Sequence, residues 1–243
     1  MLNINYRRSS ISSLFSLLSA YLPCTSMSIL SRVLPHFAHL VCRVPTASQL
    51  NVRYTTAMAK KTAILLIADG SEEIEAVVTV DVLRRAGIEV TIAGLADCPS
   101  VKCSRDVKIC VDAKLQDAVS QNYDIVILPG GLAGSKAFAT SQEVGKLLQQ
   151  QEKENRAIAA ICAAPTALKA HGIGKGKQLT SYPAMKDQLA DEYKYLEDKV
   201  VVDGNLITSR GPATAFAFGL AIVEKLLDKE AACNVAKGLL YTE

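Results

Sequence analysis

The chain has 243 residues, a length that suits one large domain or two small ones. Hydrophobic residues make up 49% of the chain and charged residues 21%, proportions that exclude a wholly disordered protein. Residues 1–57 contain five arginines and no acidic residue. The rest of the chain contains 22 basic and 24 acidic residues, and this nearly neutral charge gives no electrostatic basis for nucleic-acid binding.

Residues 1–57 form a basic leader, which is rich in Ser and Arg and is typical of a mitochondrial transit peptide. Residues 58–243 are predicted to form the folded body. Two alternatives stay open: a weaker secretory signal that begins at Arg7, or a working start at Met58 that would leave the body in the cytoplasm or the nucleus. The uncharged run from Ser9 to Ser31 holds nine serines, so no membrane span is predicted.

The body alternates strand-like and helix-like segments. Apolar runs predict strands at Thr62–Ala68, Ile88–Ala93, Asp124–Leu128, Ala157–Ile161 and Asn205–Ser209. Helical spacing predicts helices from about Ile74 to Gly87, over Gln142–Glu154, from Pro165 to His171 and over Ala213–Leu227, while the stretch through Asp106–Cys110 is predicted to be irregular. This alternation predicts one α/β domain with a mostly parallel central sheet and helices on both faces.

Three predicted strand ends carry residues suited to chemistry, and the site of such a sheet lies at the carboxyl ends of its strands. Cys162 follows one strand in the pattern small-x-Cys-x-small, which is typical of a nucleophile elbow. The predicted helix start behind this cysteine would favour its thiolate. The alternative is a buried cysteine that packs as a small hydrophobic residue.

The other two strand ends supply acids and glycines. Asp69–Glu75 contains three glutamates, one of which could share a proton with the cysteine, although acids at a helix start also simply complement the helix dipole. Gly130 and Gly131 could direct backbone N–H groups at a substrate oxygen. His171, the only histidine of the body, is out of phase with Cys162, and neither a metal site nor a nucleotide cofactor is expected from the spacing.

Five segments carry a resemblance that spans residues 60–243. They are ADGSEEIEAVVTVDVLRRAG (68–87), VKCSRDVKIC (101–110), ILPGG (127–131), AAICAAPTAL (159–168) and ITSRGP (207–212). Together they resemble the DJ-one (DJ-1) family of the PfpI and class I glutamine-amidotransferase-like superfamily. The resemblance implies a flavodoxin-like three-layer α/β sandwich in a single domain, assembled as a homodimer.

The resemblance also implies roles for individual residues. Cys162 matches the family's oxidisable nucleophile, and Glu75 matches its protonated partner. The other matches are pocket-lining backbone at Gly130, Gly131 and Ala163, residues bounding the pocket near the dimer contact at Arg85, Arg105, Arg210 and Pro212, and secondary redox cysteines at Cys103 and Cys110. Tyr182 stands where vertebrate members have a pocket histidine, which casts doubt on any mechanism that needs that base.

The implied function is protection against oxidative stress. One form of it is a redox sensor based on Cys162 that also acts weakly, without a cofactor, as a glyoxalase or protein deglycase on methylglyoxal or its protein adducts. A second form is a non-enzymatic redox-regulated chaperone or signalling dimer. A cysteine protease or amidotransferase is a weaker alternative, because such enzymes pair the cysteine with a histidine.

Overall fold

The computed structural model describes residues 60–242. The strands are β1 Thr62–Ile67, β2 Glu89–Gly94, β3 Ser100–Lys102, β4 Lys108–Cys110, β5 Ala113–Lys114, β6 Ile125–Leu128, β7 Ala157–Ile161, β8 Gln178–Leu179, β9 Lys194–Tyr195, β10 Val200–Asp203 and β11 Leu206–Ser209. The helices are α1 Glu73–Arg85, α2 Leu115–Ala118, α3 Leu132–Thr140, α4 Gln142–Lys153, α5 Pro165–Ala170, α6 Lys186–Leu189, α7 Ala215–Leu226 and α8 Lys229–Gly238. The predicted leader lies outside the described residues and stays a prediction.

Seven strands form the central sheet, in the order β10–β11–β7–β6–β1–β2–β5. All neighbours are parallel except β10, which runs antiparallel to β11. The chain leaves β1 towards β2 on one side and later fills the other side with β6, β7 and β11. The strand order therefore reverses next to β1, and a crevice at the carboxyl ends of β1 and β6 is where such folds place their ligands.

Helices cover both faces of the sheet, so the body is a three-layer sandwich as predicted. Alternate residues of β1 point to opposite faces, because side chains in a strand alternate. Leu65 packs in the core with residues of α1, α7 and α8, and Ile64 packs in the core with residues of α2, α3, α4 and α5. The five apolar runs that predicted strands all lie in this sheet, buried between the two helical layers.

The structure corrects the expected irregularity of the segment around Asp106–Cys110. This segment belongs to an antiparallel hairpin in which β3 pairs with β4, with Ser100 opposite Cys110. The turn is made possible by Asp106, whose φ is 68°. The residue type fits, because aspartate enters the left-handed region more readily than most side chains.

The sequence patterns also left out α3, α8 and the antiparallel edge strand β10. In the described part of the chain, none of the helices combines the length and the apolar character that a bilayer crossing needs.

Candidate active site

Cys162 sits on the sharp turn between β7 and α5, as the small-x-Cys-x-small pattern predicts. Its φ is 63°, in the left-handed region that costs a non-glycine residue about 1–3 kcal/mol. Backbone hydrogen bonds hold this conformation: the Cys162 N–H donates to the Ser209 carbonyl (2.9 Å), and the Tyr182 N–H donates to the Cys162 carbonyl (2.8 Å). Strain of this kind is concentrated at functional sites, and here it presents one thiol at the end of the sheet.

Glu75 is the glutamate that the fold brings to the cysteine, in agreement with the resemblance. Its side chain is fully buried in the first turn of α1, and its Oε2 accepts a hydrogen bond from the Gly130 N–H at 2.7 Å. Its Oε1 has no hydrogen-bond partner among the described residues. Burial raises the pKa of Glu75 from 4.5 to about 7, although the Gly130 N–H and the Cys162 side chain act in the opposite direction. This carboxyl therefore holds a proton over much of the range in which an ordinary glutamate has lost it.

Gly130 lets the two side chains meet. A Cβ at this position would lie 2.5 Å from the Cys162 Cβ and 2.7 Å from Glu75 Oε2. Only glycine fits, because any larger residue would push the carboxyl and the thiol apart. The structure also corrects one predicted role: the Gly130 N–H is bonded to Glu75, so it does not point freely at a substrate oxygen.

The expectation that local geometry alone favours the thiolate needs a correction. Burial, the largest cause, and the charge of the Glu75 carboxylate together raise the pKa of the Cys162 thiol to about 12, although the Gly131 and Ala163 N–H groups act in the opposite direction. The sequence left open whether this cysteine is buried, and burial disfavours an isolated anion. The thiol and the carboxyl are therefore a coupled pair, and the sulfur stays protonated as long as the carboxyl next to it is the charged member.

The backbone N–H groups of Gly131 and Ala163 lower the pKa of the Cys162 thiol. Their role in holding a substrate oxygen stays a prediction. In the described part of the chain, neither N–H group donates to a backbone carbonyl. Gly131 has a φ of 84°, and a Cβ there would collide with the Gly70 carbonyl oxygen, so the loop can approach the thiol only with glycine at this position. The sulfur thus faces two N–H donors, while the ionised carboxylate receives one.

An open cavity of about 710 Å³ lies beside the thiol. The predicted residues that line it are Gly131, Cys162, Ala163, Cys103, Arg105 and Pro212. Tyr182 also lines it, with 47% of its surface exposed, so the tyrosine stands at the pocket where the resemblance implies a histidine in vertebrate relatives. Burial, together with the carboxylates Glu73, Glu72 and Asp69, raises the pKa of Cys103, the second thiol of the cavity, to about 11.

Three residues that the resemblance associated with the pocket or with redox chemistry lie outside the cavity wall. Arg85 ends α1, ten residues from Glu75, and pairs with Asp81 at 2.6 Å. Arg210 donates from its guanidinium to the Glu197 carbonyl (2.5 Å), which turns it away from the cavity. Cys110 is exposed on β4. The place of the two arginines at a dimer contact stays a prediction.

His171 lies at the end of α5, away from the thiol, as its spacing predicted. Its Nε2 lies 2.8 Å from the Phe138 carbonyl oxygen, so the ring links α5 to α3. Within residues 60–242, His, Cys, Asp and Glu side chains form no group of three or more that could hold a metal ion.

The resemblance placed Arg105 at the pocket, but the sequence reasoning missed the other residues that the β3–β4 turn brings to the site. Ser104 and Arg105 bond to Glu73 and line the cavity, with Lys102 and Asp106 beside them. Leu132 and Ala133, at the start of α3, line the opposite wall. The short segment Ser104-Arg105-Asp106 between two β-branched stretches was the signal for a turn.

Comparison with known proteins identifies the family of this chain. The family model described as the DJ-1/PfpI family matches residues 61–225. Protein dj-1beta of Drosophila melanogaster is 56% identical over 181 residues, which make up 74% of this chain and 97% of the relative. The crystal structure of Drosophila melanogaster DJ-1beta superposes with a TM-score of 0.74 at 55% identity, and covers 76% of this chain and 100% of that one.

A relative from Caenorhabditis elegans carries an enzymatic name. It is called glutathione-independent glyoxalase DJR-1.2, and it is 44% identical over 184 residues, which make up 75% of this chain and 97% of the relative. The family model, these identities and the shared fold all rest on the body that contains Cys162 and Glu75. This chain belongs to the DJ-1/PfpI family.

Proposed function

We propose that this protein is a cofactor-independent glyoxalase that uses Cys162 as its nucleophile and Glu75 as its proton carrier, and that converts methylglyoxal to lactate. The observation that supports it best is the buried pair: a carboxyl with a pKa of about 7 beside a thiol on a strained elbow. A general acid–base group works best when its pKa lies near the operating pH. The similarity to a relative named as a glutathione-independent glyoxalase points the same way.

The first step needs the proton of the pair to sit on Glu75, so that the sulfur carries the charge. Two N–H groups, those of Gly131 and Ala163, lie at the sulfur, and only the Gly130 N–H serves the carboxylate. Glu75 Oε1, which has no other partner among the described residues, is the atom that would carry the proton. In the proposed mechanism, these donors stabilise the sulfur anion while the neutral Glu75 carboxyl holds the one proton that the pair retains.

The chemistry then balances without an external oxidant. The sulfur attacks the aldehyde carbon, the π electrons of the carbonyl move to its oxygen, and the proton from Glu75 neutralises that oxygen to give a hemithioacetal. The Glu75 carboxylate next removes the proton from the former aldehyde carbon and returns it to the adjacent keto carbon. The hydroxyl proton on the former aldehyde oxygen moves to the former keto oxygen, which gives a lactate thioester. Water cleaves the S–C bond, and lactate and the free thiol result.

A second function uses the same pair. Cys162 is 9% exposed at an open cavity, so peroxide can reach the sulfur. Each oxygen that it adds would meet the N–H groups of Gly131 and Ala163 and the proton of Glu75, which would stabilise a sulfinate. We propose that this oxidation makes the protein a redox sensor, with the glyoxalase active only while the thiol is reduced.

Lactate release from methylglyoxal without glutathione tests the enzymatic proposal. Cys162→Ser should lower the turnover at least about a thousandfold, because a serine hydroxyl is far less acidic than a thiol and a neighbouring carboxylate cannot convert it to the attacking anion. Cys233→Ser is the matched control, since Cys233 is exposed and lies outside the cavity. Unchanged turnover in Cys162→Ser would reject the enzyme and leave only the sensor.

We also propose a homodimer and a mitochondrial destination. The dimer is supported by Ile74 and Val77 on α1, which leave about half of their apolar surface exposed. The destination rests on the basic leader, residues 1–57. Light scattering tests the first, and the location of a fluorescent fusion with and without the leader tests the second.

A further inference from the structure

The turn between β3 and β4 is fastened to the loop that follows β1, and it forms one wall of the cavity. Along the backbone, the Gly70 N–H donates to the Lys102 carbonyl (2.8 Å), and the Ser104 N–H donates to the Ser71 carbonyl (2.8 Å). The Lys102 N–H donates to Asp69 Oδ1 at 2.9 Å. The turn is therefore held at a defined distance from the carboxyl end of β1.

Glu73 completes this attachment with a buried carboxylate. Its Oε2 accepts from the Ser104 hydroxyl and its Oε1 from the Arg105 N–H, both at 2.8 Å. Only 7% of its surface is exposed, and no cation of the described residues lies within ion-pair distance of it. A buried carboxylate without a counter-ion costs stability unless hydrogen bonds satisfy it. Both carboxylate oxygens of Glu73 accept hydrogen bonds from the turn that carries Arg105.

Arg105 brings a positive charge to the cavity wall. Among the described residues, no carboxylate lies within ion-pair distance of this guanidinium. Its guanidinium donates to the Ser104 carbonyl at 3.1 Å. The other charges of this wall are engaged: Lys102 pairs with Asp106 at 2.6 Å, and Glu72 caps α1 by accepting from the Glu75 N–H at 2.8 Å. A guanidinium in this position matches the fork geometry of a carboxylate.

We propose that Glu73 is a positioning residue that fixes Arg105 at the cavity, and that Arg105 binds a carboxylate carried by the substrate, so that aldehydes with an adjacent anionic group are preferred over neutral ones. The proposal rests on Cys162 as the nucleophile of the proposed function. The covalent step is hemithioacetal formation: the S–C bond forms, and the thiol proton goes to the former carbonyl oxygen.

The test is protection of Cys162 from alkylation, which needs no turnover. Iodoacetamide, which is neutral, labels the thiol, and peptide mass spectrometry measures the labelling rate at increasing glyoxylate (an aldehyde with a carboxylate) or propanal (a neutral aldehyde). The readout is the ratio of the two half-protecting concentrations. Arg105→Gln should shift this ratio against glyoxylate by about tenfold or more, the effect of one lost charge-assisted hydrogen bond.

Glu73→Gln should produce a large part of the same shift, because the amide keeps one acceptor and loses the other. Ser104→Ala, which removes one donor of the attachment and leaves Glu73 charged, should give a smaller shift and serves if Glu73→Gln does not fold. Lys108→Gln is the matched control, since it removes one positive charge from β4 outside the cavity wall and should leave the ratio unchanged.

An unchanged ratio in Arg105→Gln would overturn the role of Arg105. The role of Glu73 would be overturned if the ratio shifts in Arg105→Gln but not in Glu73→Gln. If Glu73→Gln does not fold, Ser104→Ala takes its place in this comparison. Protection by glyoxylate in a protein that makes no lactate would reject the proposed function and keep this inference, so the two failures are distinguishable.

Discussion

The raised pKa of Glu75 predicts that Glu75→Gln stabilises the folded protein at pH 8 much more than at pH 4.5. Glutamine removes the ionisable group and keeps an oxygen that can accept from the Gly130 N–H. Between pH 4.5 and about 7, the folded Glu75–Cys162 pair of the wild type retains a proton that the glutamate of the unfolded chain has already released. The stability that comes from this proton is complete below pH 4.5 and is lost as the pH rises through about 7.

The structure gives the magnitude of this effect. A pKa raised from 4.5 to about 7 corresponds to about 3 kcal/mol of stability lost by the wild type at pH 8. Burial is the largest cause of the raised pKa, and the Cys162 side chain acts in the opposite direction. The same pH-dependent difference between the wild type and Glu75→Gln should therefore persist when Cys162 is replaced by Ser.

Urea unfolding at several pH values measures this prediction, because the other titrating groups are common to both proteins and cancel in the comparison. The gap between Glu75→Gln and wild type should widen as the pH rises, in both the Cys162 and the Cys162→Ser backgrounds. A gap that stays constant from pH 4.5 to pH 8 would refute the assignment of a buried, proton-holding carboxyl.

Three further predictions concern the surroundings of the pair. Gly130→Ala should separate the thiol from Glu75 and lower methylglyoxal turnover at least about tenfold, at a stability cost of about 1–3 kcal/mol. Gly238→Ala is the control and should leave turnover unchanged, because its new Cβ meets nothing within 4 Å. Equal turnover in both variants would contradict the steric argument. Graded peroxide should add two oxygens to Cys162 before it oxidises Cys103, because the Glu75 carboxyl and the Gly131 and Ala163 N–H groups can stabilise an oxidised Cys162; peptide mass spectrometry that found Cys103 first would reject the sensor. Tyr182→Phe should keep turnover within about twofold, because no described group binds the phenol; a loss above about tenfold would place the phenol in the chemistry.

The sequence predicted the parts of this protein that depend on local pattern. Continuous apolar runs identified the buried parallel strands, because strands covered on both faces tolerate few polar residues. Small residues around Cys162 identified the elbow, because bulk there is excluded sterically. The choice of Glu75 among three glutamates came from the family resemblance, since helical spacing alone allowed each of them.

Other features depend on contacts between distant segments, and the sequence could not supply them. The segment of α3 contains glycine and serine and has no clear apolar period, so its helix is stabilised by packing rather than by pattern. The pKa of Cys162 is raised by burial, which exists only in the folded protein. The Gly130 N–H could not be assigned to Glu75 rather than to a substrate, because the two residues are 55 positions apart.

The proton shared by Glu75 and Cys162 is the centre of the account, and the pH dependence of Cys162 alkylation measures it most directly. Under the proposed charge distribution, in which Glu75 holds the remaining proton, iodoacetamide labelling of the Cys162 peptide should accelerate near neutral pH and should then level off. A labelling rate that stays low at neutral pH and rises only above about pH 10 would show that the charge rests on the carboxylate, and would contradict the account.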